Sequence, residues 1–209
     1  MTQLIEQKIW GYWVLATLLI SGIDPSADRL TWVMETIPVM IALPLLWGTY
    51  DRFPLTILSY RLLALWAFVL MYGGFYTYAE TPLFNEIQQV FDLDRNHYDR
   101  VAHFIQGVVP AILAREILLR TSPLQQGKWL FFIVSAICLA ISACYEFIEW
   151  WAALLNAQAA ESFLGTQGDQ WDTQWDMFLA LLGSIFSQLV FAQTHNKQLA
   201  TLSHKVNNG

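Results

Sequence analysis

Six stretches of this chain are apolar over a length that matches a bilayer crossing: residues 9–23, 32–50, 55–76, 99–119, 129–151 and 175–193. The hydrocarbon core of a membrane is about 30 Å thick and a helix rises about 1.5 Å per residue, so a span needs roughly 20 mostly apolar residues. The segments between them lack the alternation of barrel strands, and a helix satisfies its own backbone in lipid whereas a loop cannot. The sequence therefore predicts an all-α polytopic membrane protein: one domain of about six transmembrane helices, ending in a flexible cytoplasmic tail over residues 194–209. Only 13% of residues are charged, against about 25% in an ordinary soluble domain. Two Cys exclude a disulfide scaffold. A net charge of −6 excludes nucleic acid as the main partner, because phosphate binding needs a basic face. The partner this composition demands is the lipid bilayer.

The first stretch is short and N-terminal, like a secretion signal. However, Glu6 offsets Lys8 before it and no small-x-small cleavage site follows Ile20, so it reads as a retained span. Pro38, Pro44 and Pro110 fall inside spans and predict kinks that neighbouring helices compensate. With a cytoplasmic N-terminus, Lys8, Arg52, Arg61, Arg115, Arg120, Lys128, Lys197 and Lys205 lie inside and only Arg29, Arg95 and Arg100 outside. That asymmetry predicts an inner-membrane topology with both termini cytoplasmic. Every Trp except Trp66 falls at a span end, where amphipathic rings sit at headgroup level, which supports the same boundaries.

The acids are distributed as unevenly as the bases. Glu6, Asp51 and Glu116 fall inside and all other Asp and Glu lie outside or at the outer boundary; acids contribute little to orientation, so the excess calls for another explanation. Helical spacing puts three pairs on single faces. Asp99 and His103 are four apart at the outer start of the fourth span, Glu146 and Glu149 three apart near the outer end of the fifth, and Asp172 and Asp176 four apart at the outer start of the sixth. Alternating chain direction brings all three to one leaflet, where five carboxylates and an imidazole cannot all stay charged and unpaired. The set suits a divalent cation such as Mg²⁺, Mn²⁺ or Zn²⁺. On that reading Asp99, His103, Glu146 and Asp176 are metal ligands, and His103, Glu149 and Asp172 serve as general base and proton carriers.

Taken singly, these residues have plainer explanations. Asp99, Asp172 and Asp176 suit helix starts, and His103 suits a hydrogen-bonded packing role. Glu146 and Glu149 resist such a reading, because a helix C-terminus and lipid both disfavour acid. Elsewhere Arg61 and Arg115 read as snorkelling, Glu116 as a local partner of Arg120, and Cys138 and Cys144 as packing residues. Glu35 and Glu80 lie on the outer side and either could join the acidic site or be interfacial, the latter favoured for Glu35. His195 and His204 read as solvated in the tail. The small residues Ala152, Ala153, Ala157, Ala159 and Ala160 read as a surface helix, and Gly73 and Gly74 as a point of close backbone approach.

The runs Asn96-His97-Tyr98-Asp99-Arg100-Val101-Ala102-His103-Phe104, Tyr145-Glu146-Phe147-Ile148-Glu149-Trp150 and Gly168-Asp169-Gln170-Trp171-Asp172-Thr173-Gln174-Trp175-Asp176-Met177 resemble the YjdF family of bacterial inner-membrane proteins, over most of the chain. That resemblance implies a location and a topology rather than a reaction. More distantly, the second half is similar to VanZ-like membrane proteins, which are associated with glycopeptide-antibiotic resistance: Asp99-Arg100-x-x-His103-Phe104, Glu146, and Asp176 with Gly183 match their pattern. Glu149 stands where those proteins usually carry Gln, and Ala180 where they usually carry Asn. Three functions are compatible with the residues: a metal-dependent membrane enzyme acting on a lipid-linked or envelope substrate, a cation- or proton-coupled transporter, and a membrane assembly protein whose acidic face docks a basic partner. No nucleophile motif, phosphate loop or HExxH sequence is present.

Overall fold

The computed structural model describes residues 2–155 and 166–207. Among these it contains seven α-helices and one 3-10 turn: α1 (Thr2–Ser21), α2 (Arg29–Thr49), α3 (Ile57–Tyr76), the turn Tyr78–Glu80, α4 (Pro82–Val90), α5 (Tyr98–Thr121), α6 (Lys128–Leu155) and α7 (Asp172–Asn207). The expected all-α fold is what forms. Helices α2, α3, α5, α6 and α7 are long and apolar enough to cross a membrane. Helix α1 covers the first expected span, but Glu6, Gln7 and Lys8 dilute its apolar run, and it lies along α3.

Local chemistry fixes the helix starts. Asp28 precedes α2 with extended backbone, and its carboxylate accepts the Leu30 and Thr31 amides at 2.9 and 3.0 Å; two otherwise orphaned donors are thereby satisfied. The Thr56 hydroxyl does the same for the Ser59 amide ahead of α3. Between α3 and α5 the chain is tied down by the fully buried Asn96, whose side chain donates to the Thr81 carbonyl at 3.1 Å and Asn85 Oδ1 at 2.7 Å while accepting the Tyr98 amide at 3.0 Å. The loop that precedes α5 is thus rigidly placed.

Helix α5 is the centre of the bundle, packed against α3, α6 and α7. Its contact with α7 is made at backbone distance: a Cβ on Gly107 would collide with the Ala180 carbonyl, and one on Gly183 with the Phe104 carbonyl. Small residues permit this approach, which in lipid replaces the hydrophobic drive that holds soluble helices together. Ser187 adds a 2.7 Å hydrogen bond to the Val108 carbonyl, and Gln188 reaches α6 through Ser135 at 3.0 Å. Val109, Ala111 and Ile112 are fully buried on α5, Val134 and Cys138 opposite them on α6. Cys138 therefore packs as expected, whereas Cys144 is exposed. The bundle's outside is apolar: Ile41, Leu45, Phe132 and Leu189 are each more than half exposed, as suits a surface solvated by lipid.

Two expectations are overturned. Residues 194–207 are not a frayed tail: α7 runs unbroken to Asn207, and His195 within it is completely buried. Arg115 does not snorkel but is buried, donating to His195 Nδ1 at 2.9 Å and to Asn196 Oδ1 at 2.5 Å. The cause is shared. Two adjacent charges on α5, Arg115 and Glu116, lie where water is scarce, and the last turns of α7 supply their partners. Gln198 on α7 also accepts the Leu58 amide at 2.9 Å, capping an open donor of α3. Ala152 and Ala153 belong to α6 rather than to a separate surface helix, while Ala157, Ala159 and Ala160 lie outside the described residues, as does the side chain of His204.

Because the α5–α7 contact is backbone against backbone, no rotamer change can relieve an added methyl group. Gly107→Ala is expected to cost at least the upper part of the about 1–3 kcal/mol typical of overpacking, read as a lowered unfolding midpoint in detergent. Gly48→Ala, whose new Cβ meets nothing within 4 Å, should be neutral or mildly stabilising.

Candidate functional site

Helix α5 begins at Tyr98, so Asp99 and His103 fall one turn apart on one face; α7 begins at Asp172, which sets Asp176 one turn further along; α6 arrives from the opposite direction and presents Glu146 and Glu149 near its end. The close α5–α7 contact draws these three pairs together. His103 Nε2 stands 3.4 Å from Asp99 Oδ1 and 3.9 Å from Asp176 Oδ2, and Nδ1 stands 4.0 Å from Glu146 Oε1. None of the side chains of Asp99, His103, Glu146, Asp172 and Asp176 is more than 9% exposed. Three atoms aimed into the group have no hydrogen-bond partner: His103 Nδ1, Glu146 Oε1 and Asp176 Oδ1.

Arginines compensate part of the negative charge. Arg95, buried in the loop ahead of α5, makes a short hydrogen bond to Asp172 and lies 3.6 Å from Asp99 and 3.7 Å from Asp169. Arg100 holds Asp169 at 2.6 Å and lies over the Trp175 ring, 5.3 Å from its centroid. At the rim, burial and the neighbouring Arg100 and Arg95 hold the His97 imidazole below its usual pKa. Gln167 clasps the backbone of Asn96, accepting from its amide and donating to its carbonyl at 2.9 Å each, which joins the loop before α7 to the loop before α5. Asp172 is therefore an ion-paired residue, while Asp176, Glu146 and Glu149 are left facing His103 and one another.

Beside His103 lies a cavity of about 20 Å³ lined by Glu35, Asp99, Glu149, Tyr78 and Tyr145, room for about one water molecule. Glu35, which the sequence presents as interfacial, is buried here. Its entry depends on the adjacent glycines of α3. A Cβ on Gly74 would stand 3.0 Å from that of Glu35, and one on Gly73 would meet the Tyr78 ring at 2.5 Å. Without side chains at 73 and 74, both groups reach the cavity. Glu80 is exposed and lies apart from it. Sequence reasoning missed Asp169 and the ion pairs that Arg95 makes, and it favoured an interfacial role for Glu35 over membership of the site; the Gly73-Gly74 pair was the signal that could have reversed that preference.

A second polar cluster occupies the opposite end of the bundle. Glu116, fully buried, accepts from the Thr56 amide at 2.9 Å, the Thr56 hydroxyl at 2.8 Å, Ser59 at 2.6 Å, Arg120 at 2.8 Å and His195 Nε2 at 3.2 Å. The local pair with Arg120 was legible; His195, 79 positions away, was not. With so many donors on one carboxylate, this cluster joins α3, α5 and α7 and leaves no open ligand position on Glu116.

The family model described as "Predicted membrane protein (DUF2238)" matches residues 7–197, which contain both polar clusters. The chain belongs to this family. The chain is also similar to the inner membrane protein YjdF of Escherichia coli (strain K12), 52% identical over 182 residues, 87% of each chain. No solved structure matches. This DUF2238 member is thus a multi-pass membrane protein, in agreement with the family resemblance carried by its acidic motifs.

Arg95 offers the sharpest test of the site's electrostatics. Arg95→Ala leaves Asp99 and Asp172 buried without their cation and is expected to cost about 3–5 kcal/mol, measured by denaturant unfolding in micelles. Arg100→Ala, removing a half-buried charge, should cost much less.

Proposed function

We propose that the His103 end of the bundle is a divalent-cation site at which a membrane enzyme acts on a lipid-linked or envelope substrate. One observation carries the reading: a carboxylate oxygen of Asp99, a ring nitrogen of His103 and a carboxylate oxygen of Asp176 all lie within 4.8 Å of one another, deep in the protein. An imidazole with two carboxylates favours Mn²⁺ or Zn²⁺ over Mg²⁺. Glu146 Oε1 stands 4.0 Å from the other ring nitrogen, near enough to become the carboxylate that orients His103 once a metal is held, an outer-shell role common at metal-bound histidines. Glu149 and Glu35 border the water-sized cavity and are the groups suited to take and return a proton. Asp172, paired with Arg95, positions the start of α7. The Lys and Arg distribution supports an inner-membrane orientation with both termini cytoplasmic and this site facing outward.

The rival readings have weaker support. A carrier needs a path between the two polar ends, but Gly107 against Ala180 and Gly183 against Phe104 close the α5–α7 seam, and Val109, Ala111 and Ile112 fill the space beside it. A docking face would present its acids at the surface, whereas these are buried among arginines.

Purified protein should carry a bound transition metal, or take up Mn²⁺ with an upward shift in unfolding midpoint; saturation at about 100 times the dissociation constant corresponds to about 2.7 kcal/mol. Asp176→Asn and His103→Ala should abolish both effects while preserving helix content. A metal-free chain whose midpoint ignores Mn²⁺, Zn²⁺ and Mg²⁺ would remove the basis for the proposal.

A further inference from the structure

Helices α1 and α2 both pack on α3 but touch each other little, and between the three lies an apolar slot of about 110 Å³. Along α3 it runs from Tyr60 to Leu70, about 15 Å at about 1.5 Å per residue. That is half of the about 30 Å hydrocarbon thickness, the depth of a single leaflet. One end has a polar rim. There the Tyr50 hydroxyl donates to Gln7 Oε1 at 2.9 Å, and the Lys8 ammonium stands 6.0 Å from the Tyr50 ring centroid. Glu6, the acid nearest to Lys8 in sequence, is held by Arg61 at 2.7 Å, which leaves the Lys8 charge for another partner. Beside this rim the exposed rings of Tyr12 and Trp47 meet edge-on at 5.5 Å, as headgroup-level aromatics do. The far end is closed by Trp66 and Leu70, which also wall the cavity beside His103.

Apolar cavities of roughly this size stay dry in water and take up apolar molecules, and this one is surrounded by hydrocarbon. We infer that the slot is a lipid-binding site that holds one acyl chain of an anionic phospholipid, with the phosphate at Lys8 and the chain end against Trp66 and Leu70. The assignment is independent of the cation site, since it rests on α1, α2 and α3 and on a charge at the other end of the bundle.

The test uses the full chain in phosphatidylcholine vesicles doped with a phosphatidylglycerol whose acyl chain ends in a photoreactive diazirine. Irradiation should label Val14, Ala67 and Leu70 in preference to the outward-facing Trp13, Ile41 and Leu45. Gly11 lines the slot and a Cβ there meets nothing within 4 Å, so Gly11→Phe, which adds a ring at the α1 wall, should cut slot labelling about tenfold, an easily resolved change in affinity. Ala42→Phe blocks from the α2 wall and should act alike, whereas Gly48→Phe, where a Cβ likewise meets nothing within 4 Å but which lies outside the slot, should leave labelling unchanged. Lys8→Gln should reduce labelling by the anionic probe to that of a phosphatidylcholine probe with the same chain. Slot labelling that survives both Gly11→Phe and Ala42→Phe, or that is no stronger than labelling of the outer face, overturns the acyl-chain assignment. Equal labelling of the unaltered chain by anionic and zwitterionic probes overturns the role of Lys8.

Discussion

The backbone contact between α5 and α7 at Gly107 and Gly183 governs the rest of the molecule. Two helices that touch through side chains stand about 8–10 Å apart; these approach until carbonyls lie against glycine Cα atoms. Only at that separation does His103 on α5 come within 4 Å of Asp176 on α7, and only then does His195 reach the buried Arg115 and Glu116 at the other end. A dry central stretch of α5, from Val108 to Ile112, separates the two polar clusters.

The clusters handle buried charge in opposite ways. Around Glu116 every acceptor direction is occupied and the neighbouring arginines bring compensating charge, so the network is closed and its effect is mechanical. Around His103 the compensation is partial. Arg95 and Arg100 serve Asp99, Asp169 and Asp172, while Glu146, Asp176 and His103 each keep one atom without a partner. Unmet hydrogen-bonding capacity in a water-poor place is costly, and here it is concentrated on a histidine and two carboxylates.

Much of this was legible in the sequence, for reasons that can be stated residue by residue. Five apolar helices long enough to cross followed from hydrocarbon thickness, and the pairs Asp99/His103, Glu146/Glu149 and Asp172/Asp176 followed from helical spacing combined with alternating chain direction. What escaped were contacts between residues distant in sequence. Glu35 carries no local sign that it turns inward, because the room it occupies is made by a glycine 39 positions away, as Gly74 stands to residue 35. Arg95 lies in a loop, and its orientation is set by Asn96 and Gln167 rather than by any periodic pattern. The end of α7 looked like a solvated tail because its polar residues were weighed without the buried charges on α5 that they serve.

Helix α7 has 36 residues, about 54 Å of continuous rod at about 1.5 Å per residue, which exceeds the about 40–45 Å of a whole bilayer including its headgroups. Its first turn carries Asp172 and Asp176, and its later turns are pinned to α5 and α3. A rod longer than the bilayer has to tilt or to carry its excess, about 9–14 Å, beyond the headgroups.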